Sequence, residues 1–246
     1  MPRKTGRVEV RCYEELNDFL PLERRKRAFQ AVFSHGDTVK ALIEALGIPH
    51  TEVDLVLVNG TSVGFDHRLR EGDFVSVYPV FESLDISELT RVRPGGLRRT
   101  RFVLDVHLGR LAKLLRMLGF DALYSNSLDD SRLSRISALQ RRILLTRDRE
   151  LLKRSAVSHG YCVRSTQALE QLREVIGRFD LAGRFKPFSR CLRCNAPLRR
   201  LARRRAARTV PRYVAASYRR FRVCPDCGRV YWRGTHWQRM LRILNP

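Results

Sequence analysis

The sequence predicts an α/β protein: a parallel sheet with helices on both faces, preceded by a small mixed domain and followed by a basic, cysteine-bearing tail. Three observations carry this. From residue 101 short apolar runs alternate with stretches of helical periodicity, the pattern of parallel strands joined by crossover helices. Residues 7–82 instead run strand, helix, strand, strand around Asn-Gly and Glu-Gly-Asp turns, which is a β-grasp order. Two Cys-x-x-Cys pairs, Cys191/Cys194 and Cys224/Cys227, bracket an arginine-rich stretch near the C-terminus.

In the first domain (1–82), VEVRCY alternates like a half-buried strand. Asp37-Thr38 can cap a helix over VKALIEALGI that ends at Gly47 and Pro49. VDLVLVNG and GDFVSVYPV supply two further strands. Residues 83–100 lack periodicity and read as a linker, in which Gly95-Gly96 is a turn rather than a reactive terminus. In 101–180, RFVLDV, DALYS, RILLT and YCVRS read as four strands. LGRLAKLLRML, stopped by Gly119, DDSRLSRISALQRR, RELLKRSAVSHG and STQALEQLREVIGRF read as the helices between and after them, the last capped by Ser165 or Thr166. Residues 181–246 form the basic tail.

Charge narrows the function classes. Lys and Arg number 48 against 25 Asp and Glu, a formal net charge of +23, with a pI of about 11.0. Guanidinium groups bind phosphates bidentately and release condensed counterions, so a polyanion such as RNA is the expected partner. No apolar stretch is long enough to span a bilayer, and MPRKTGRVEV lacks the apolar core of a secretory signal. The expectation is therefore a cytoplasmic protein with no membrane partner, in which paired cysteines hold metal rather than form disulfides.

In a parallel sheet, functional groups gather at the carboxyl ends of the strands. Asp105 ends RFVLDV, Asp148 follows RILLT, and Asp129 and Asp130 follow DALYS, so three loops deliver carboxylates to one rim. Packed together they would repel unless a hard cation such as Mg²⁺ or Mn²⁺ neutralised them. Such an ion suits phosphodiester hydrolysis. Arg110, Arg147 and Arg149 are the nearby candidates for holding substrate phosphates. Each aspartate also has a plainer reading: Asp148 and Asp130 stand where helix caps are common.

The run "FVLDVHLGRLAKLLRMLGFDALYSNSLDD…RRILLTRDREL" resembles the Mut-seven C-terminal RNase family, a branch of the PIN-like nucleases. The resemblance implies a PIN-like sheet over 101–180 and metal-dependent RNA cleavage, with Asp105, an acid of the Asp129–Asp130 pair, and Asp148 in the acidic positions. Where the family often carries Glu after the central Asp, this chain has Arg132. That departure motivates the rival expectation, a non-catalytic RNA- or ribosome-binding protein that keeps the nuclease fold. The N-terminal part is similar to the ubiquitin-like domain often fused ahead of this RNase, and its strand order is similar to that of ThiS- and MoaD-type carriers. A docking role toward a protein partner is the corresponding expectation.

The tail carries a second strong signal. Four thiolates on two knuckles give the tetrahedral sulfur set that Zn²⁺ prefers, and the family's tail is a zinc ribbon. Residues 195–223 exceed the usual ribbon spacing, so RRLARRRAARTVPR is expected to loop out and stay disordered until bound. Its Arg203, Arg204 and Arg205 are candidate RNA contacts because residues 181–225 contain no acid. Tyr231, Trp232 and Trp237 lie among arginines and suit either stacking on a single strand or packing the ribbon. His236 reads as a surface or cap residue. Cys12 and Cys162 sit in predicted strands and read as core thiols.

Overall fold

The computed structural model describes residues 5–79, 86, 88–92 and 100–235. His236, Trp237, Arg239 and Gly95-Gly96 lie outside the described residues. The chain is mixed α/β, with a β-grasp-like sheet, then a parallel sheet flanked by helices, then a cysteine-bearing sheet. Among the described residues no helix is long and apolar enough to cross a membrane.

The N-terminal sheet comprises β1 (Thr5–Cys12), β2 (Phe29–Ser34), β3 (Val53–Val58), β4 (Thr61–Ser62) and β5 (Phe74–Pro79), in the order β2-β1-β5-β3-β4. β1 runs parallel to β5 and the other pairs are antiparallel. Helix α1 (Val39–Ala45) packs Val39, Leu42 and Ile43 into this sheet. Thr38 caps it by accepting from the Ala41 N–H, and Gly47 at φ 87° lies just beyond its end. Strand β2 is not among the sequence expectations. It follows the LERRKR run, and only Ala31 and Phe33 of its six residues are buried, so its apolar signal is thin.

The central sheet is parallel throughout, in the order β7-β6-β8-β9: β6 (Arg101–Leu104), β7 (Asp121–Tyr124), β8 (Ile143–Thr146) and β9 (Gly160–Cys162). Side chains alternate faces along each strand. Phe102, Leu104, Ile143 and Leu145 pack with α2 (Gly109–Leu118) and α5 (Ala168–Arg178). Val103 and Leu144 face the other way, into a cluster with Leu133 of α3 (Asp130–Gln140) and Leu151 and Leu152 of α4 (Arg149–Lys153).

That second cluster does not stop at the domain boundary. It runs without a break into Val8, Val10, Val56 and Val77 of the N-terminal sheet, and both Cys12 and Cys162 belong to it. Burial pushes the Cys12 thiol up to about 12 and raises that of Cys162, so both are inert core groups. The seam is also polar. Glu52, 0% exposed, accepts from the Cys162 N–H at 2.5 Å, pairing the open edge of β9. Arg178 reaches Glu15 at 2.7 Å and Glu52 at 3.6 Å, and the Arg164 guanidinium lies over Phe19. His50 Nε2 meets the Val157 carbonyl at 2.8 Å.

Three local expectations need correction. Helix α4 ends at Lys153, well short of the whole RELLKRSAVSHG stretch, because Val157 turns back into the seam beside His50. Helix α5 begins at Ala168 with Gln167 at its cap, not Ser165 or Thr166; the Glu174 carboxylate takes the Arg164 and Ser165 N–H groups instead. Part of the stretch read as a linker is packed, since Val92 joins the core cluster and Ser62 donates to the Leu89 carbonyl.

The tail adds the antiparallel strands β10 (Arg199–Leu201), β11 (Phe221–Val223) and β12 (Val230–Trp232). Between β10 and β11 lie α6 (Arg203–Ala206) and α7 (Arg212–Ser217). The basic insert is therefore folded, contrary to the expectation of a disordered excursion. Ala206 of α6, Val210 of the turn that follows and Val214 of α7 form one buried stripe against Phe221, Trp232 and their neighbours.

Candidate functional site

Strand β6 lies between β7 and β8, so the loop after it is the middle of the carboxyl-end rim. Asp105 occupies that position and is 7% exposed. Its Oδ1 accepts from the Val106 N–H at 2.5 Å and its Oδ2 from the Thr146 hydroxyl at 2.8 Å. The same Thr146 oxygen accepts from the Asp148 N–H at 2.9 Å. One hydroxyl thus links the buried carboxylate to the backbone of the exposed one on the next strand. Thr146 ends the ILLT run and carries this link; the sequence signal for it, a polar residue closing an apolar strand, passes for an ordinary strand end.

The remaining carboxylates sit at the same edge but are engaged locally. Asp148 Oδ1 caps α4 through the Glu150 N–H at 2.8 Å. Asp129, rather than Asp130, caps α3, accepting from the Arg132 N–H at 2.7 Å, with the Arg132 side chain 3.8 Å away. Asp130 faces Arg154 at 3.5 Å. Among the described residues these aspartates do not gather three ligand atoms within 4.8 Å of one another. The rim thus fits a Mg²⁺-type ion held by one or two carboxylates with water and substrate completing its shell, not a closed three-carboxylate cage.

Two motif glycines shape the two ends of the sheet, Gly109 at this rim and Gly119 at the opposite edge, just before β7. A Cβ on Gly109 would lie 2.7 Å from the Tyr124 ring, whose hydroxyl donates to the Val106 carbonyl at 3.0 Å beside Asp105. Gly119, at φ 95°, closes α2 where a Cβ would meet the Lys186 carbonyl at 2.1 Å. Of the candidate phosphate-holding arginines, Arg110 and Arg147 are exposed. The Arg149 guanidinium lies 4.8 Å from the Phe19 ring centroid, which ties it to the seam. In the insert, Arg203 donates to the Ala215 and Ala216 carbonyls at the end of α7, while Arg204 and Arg205 are exposed.

The four cysteines of the tail do converge: Cys191, Cys194, Cys224 and Cys227 place their sulfurs within 4.8 Å of one another, at 3.3 Å for Cys194–Cys224 and 3.6 Å for Cys191–Cys227. Tetrahedral Zn–S bonds of about 2.3 Å would set sulfurs roughly 3.8 Å apart, so the set fits zinc. Burial works against a Cys191 thiolate, but the Cys194 N–H and the Tyr231 hydroxyl, 3.1 Å away, outweigh it and bring the thiol down to about 6. Burial and the neighbouring thiols push Cys194 up to about 12. Four thiolates this close hold together only around a cation. Tyr231 and Trp232 pack against this centre and the insert's stripe, the packing alternative of the two.

The ribbon is fastened at the opposite edge of the sheet from Asp105, where β7 begins. Asp121 accepts from Arg142 at 2.7 Å and from Asn195 Nδ2 at 2.7 Å, with Arg190 at 3.4 Å. Asn195 Oδ1 takes the Ala122 N–H, and buried Arg116 donates to the Leu192 and Arg193 carbonyls of the first knuckle. Burial alone would raise the Asp121 carboxyl, but the Arg142 and Asn195 bonds outweigh it and hold it below its ordinary value. Asp121→Ala would leave Arg142, its side chain 9% exposed, without its carboxylate, at a cost of about 3 kcal/mol. The wild-type contribution is fully present above the unfolded carboxyl value near about 4 and is lost as pH falls through the lower folded value. Urea unfolding at pH 7 and at pH 3 tests this: the gap between wild type and variant should narrow at the lower pH.

Comparison with known proteins gives two family matches. The Mut7-C RNAse domain profile matches residues 100–244 and the Mut7-C ubiquitin profile matches residues 5–85. Among solved structures, the crystal structure of H. volcanii small archaeal modifier protein 1 is similar at 17% identity and a TM-score of 0.26, covering 31% of this chain and 99% of that one. No curated protein sequence matches significantly.

Proposed function

We propose that this chain, which belongs to the Mut7-C RNAse family, is a metal-dependent ribonuclease whose basic ribbon binds RNA. The family match supports a ribonuclease-like role. The observation that carries the finer reading is the Asp105–Thr146–Asp148 link at the centre of the rim. Asp105 and Asp148 would hold the divalent ion, with Asp129 or Asp130 as the further acid of the rim. When bound, such an ion supplies Lewis acidity toward a phosphodiester.

The chain's own residues do the rest. The Val106 N–H and Thr146 hydroxyl fix the Asp105 carboxylate in one orientation. Exposed Arg110 and Arg147 steady phosphates as charge develops. Zinc would hold the ribbon through Cys191, Cys194, Cys224 and Cys227, and RNA, ribosomal or transfer RNA included, is the partner. The folding units would follow 1–82, 83–100, 101–180 and 181–246, with the first available to a protein partner.

One observation favours a second reading: Asp129 and Asp130 are already paired with Arg132 and Arg154, as in a binder that keeps the fold without cleaving. A cleavage assay separates the two. Purified protein and its Asp148→Asn variant are incubated with single-stranded and structured RNA, with Mn²⁺, with Mg²⁺ or without added metal. Cleavage that needs the metal and falls at least about 100-fold in the variant is expected. Salt-sensitive binding by both proteins with no cleavage would establish the binder instead.

A further inference from the structure

We propose that a second nucleic-acid site lies on the ribbon: an arginine-lined pocket that takes one nucleotide of single-stranded RNA by its phosphate. Phe188, Arg200, Arg219, Arg220, Arg222 and Arg233 line a cavity of about 350 Å³, within the size range of small-ligand sites. This site is separate from the carboxylate rim and rests on the ribonuclease reading only for the identity of the polymer.

Three observations point to an anionic occupant. Arg200 on β10 stands directly opposite Arg222 on β11 in the antiparallel register. Like charges so placed repel, and an anion between them removes the penalty. Arg200, Arg219 and Arg220 have no carboxylate partner among the described residues, and residues 181–225 contain no acid to supply one. Phe188 is buried at φ 64°, a backbone conformation that costs energy for a bulky residue. That conformation sets its ring under two guanidinium groups, Arg222 at 5.6 Å and Arg233 at 5.7 Å. The ring holds the Arg222 guanidinium plane in place, and such a plane suits stacking on an unpaired base. A base inside a duplex is not available for that contact, which selects single strands.

The test uses the full-length, zinc-loaded protein without added divalent metal, so that binding is read apart from cleavage. Anisotropy of a labelled ten-nucleotide oligouridylate reports affinity for wild type, for Arg219→Ala/Arg220→Ala, and for Arg208→Ala/Arg212→Ala, which removes the same charge from exposed positions outside the pocket. The pocket variant should bind at least about tenfold more weakly and with a shallower salt dependence, and the control less than about threefold more weakly. Tighter binding of a 5′-phosphorylated strand than of its 5′-hydroxyl counterpart, with competition by inorganic phosphate, would assign a terminal phosphate. Equal binding of both would assign an internal phosphodiester, and either supports the site. Equal losses in the two double variants would overturn it, because charge alone would then explain binding. Binding without cleavage in the presence of Mn²⁺ would remove the ribonuclease reading and leave this pocket standing.

Discussion

Asp105→Asn should reduce RNA cleavage by about a thousandfold while leaving the protein folded. The side chain is buried, and both of its oxygens are accounted for by the Val106 N–H and the Thr146 hydroxyl. Asparagine has the same shape, keeps one acceptor for those donors and loses the negative charge, and the Thr146 hydroxyl can turn to accept from the new amide. Stability should therefore change by no more than about 1 kcal/mol. Turnover at saturating metal, read beside a thermal melt, checks both halves. A large fall in activity with an unchanged melt is the expected pattern. Activity within a few-fold of wild type would mean that the central carboxylate of the rim only caps the short turn after β6.

Cys224→Ser should empty the metal centre and unfold the ribbon. The wild-type protein is expected to carry about one equivalent of zinc, and the variant none. Apparent binding energies of structural zinc in small peptides reach about 10–16 kcal/mol, most of it folding energy. The damage should not stay local. The first knuckle supplies Asn195 to Asp121, and its carbonyls receive the Arg116 guanidinium, so loss of the centre strips partners from buried Arg116 and from Asp121. A fall in Tm of more than about 10 °C follows from a loss of several kcal/mol in a chain of this length. Elemental analysis beside the melt tests it; a wild-type protein free of metal yet fully folded would contradict the assignment.

Much of this architecture was legible from residues alone, for identifiable reasons. The parallel sheet follows from apolar runs such as Phe102–Leu104 and Ile143–Leu145, each too short for a helix and each followed by helical spacing. Gly119 stops α2 in the left-handed conformation that its place after LRML implies. The two knuckles converge as their spacing requires. What stayed hidden is what depends on pairing across long sequence separations. Nothing near Glu52 announces that its carboxylate takes the Cys162 N–H, nor that Arg178 closes on Glu15 and Glu52. The folded insert was masked by its charge: six of the ten residues of RRLARRRAAR are arginine, which hides any core signal, and the stripe at Ala206, Val210 and Val214 shows only once Phe221 lies against it.

The candidate rim divides in the same way. Topology places Asp105, Asp129, Asp130 and Asp148 at one edge, as strand-end positions predict, because β7, β6 and β8 are parallel neighbours. The side chains then follow local bonding: Asp129 and Asp148 cap α3 and α4, and only Asp105 is drawn inward, by Thr146. Arg149 went to Phe19 across a seam that no local pattern reveals.

Acids on separate strands are expected to cooperate in holding one hard ion beside bound RNA. Diffraction from crystals soaked in Mn²⁺, read at the manganese absorption edge, tests it most directly. An anomalous peak is expected at the rim at bonding distance, about 2.2 Å, from oxygens of Asp105, Asp148 or both. An empty rim in crystals whose four cysteines hold their own ion would contradict it.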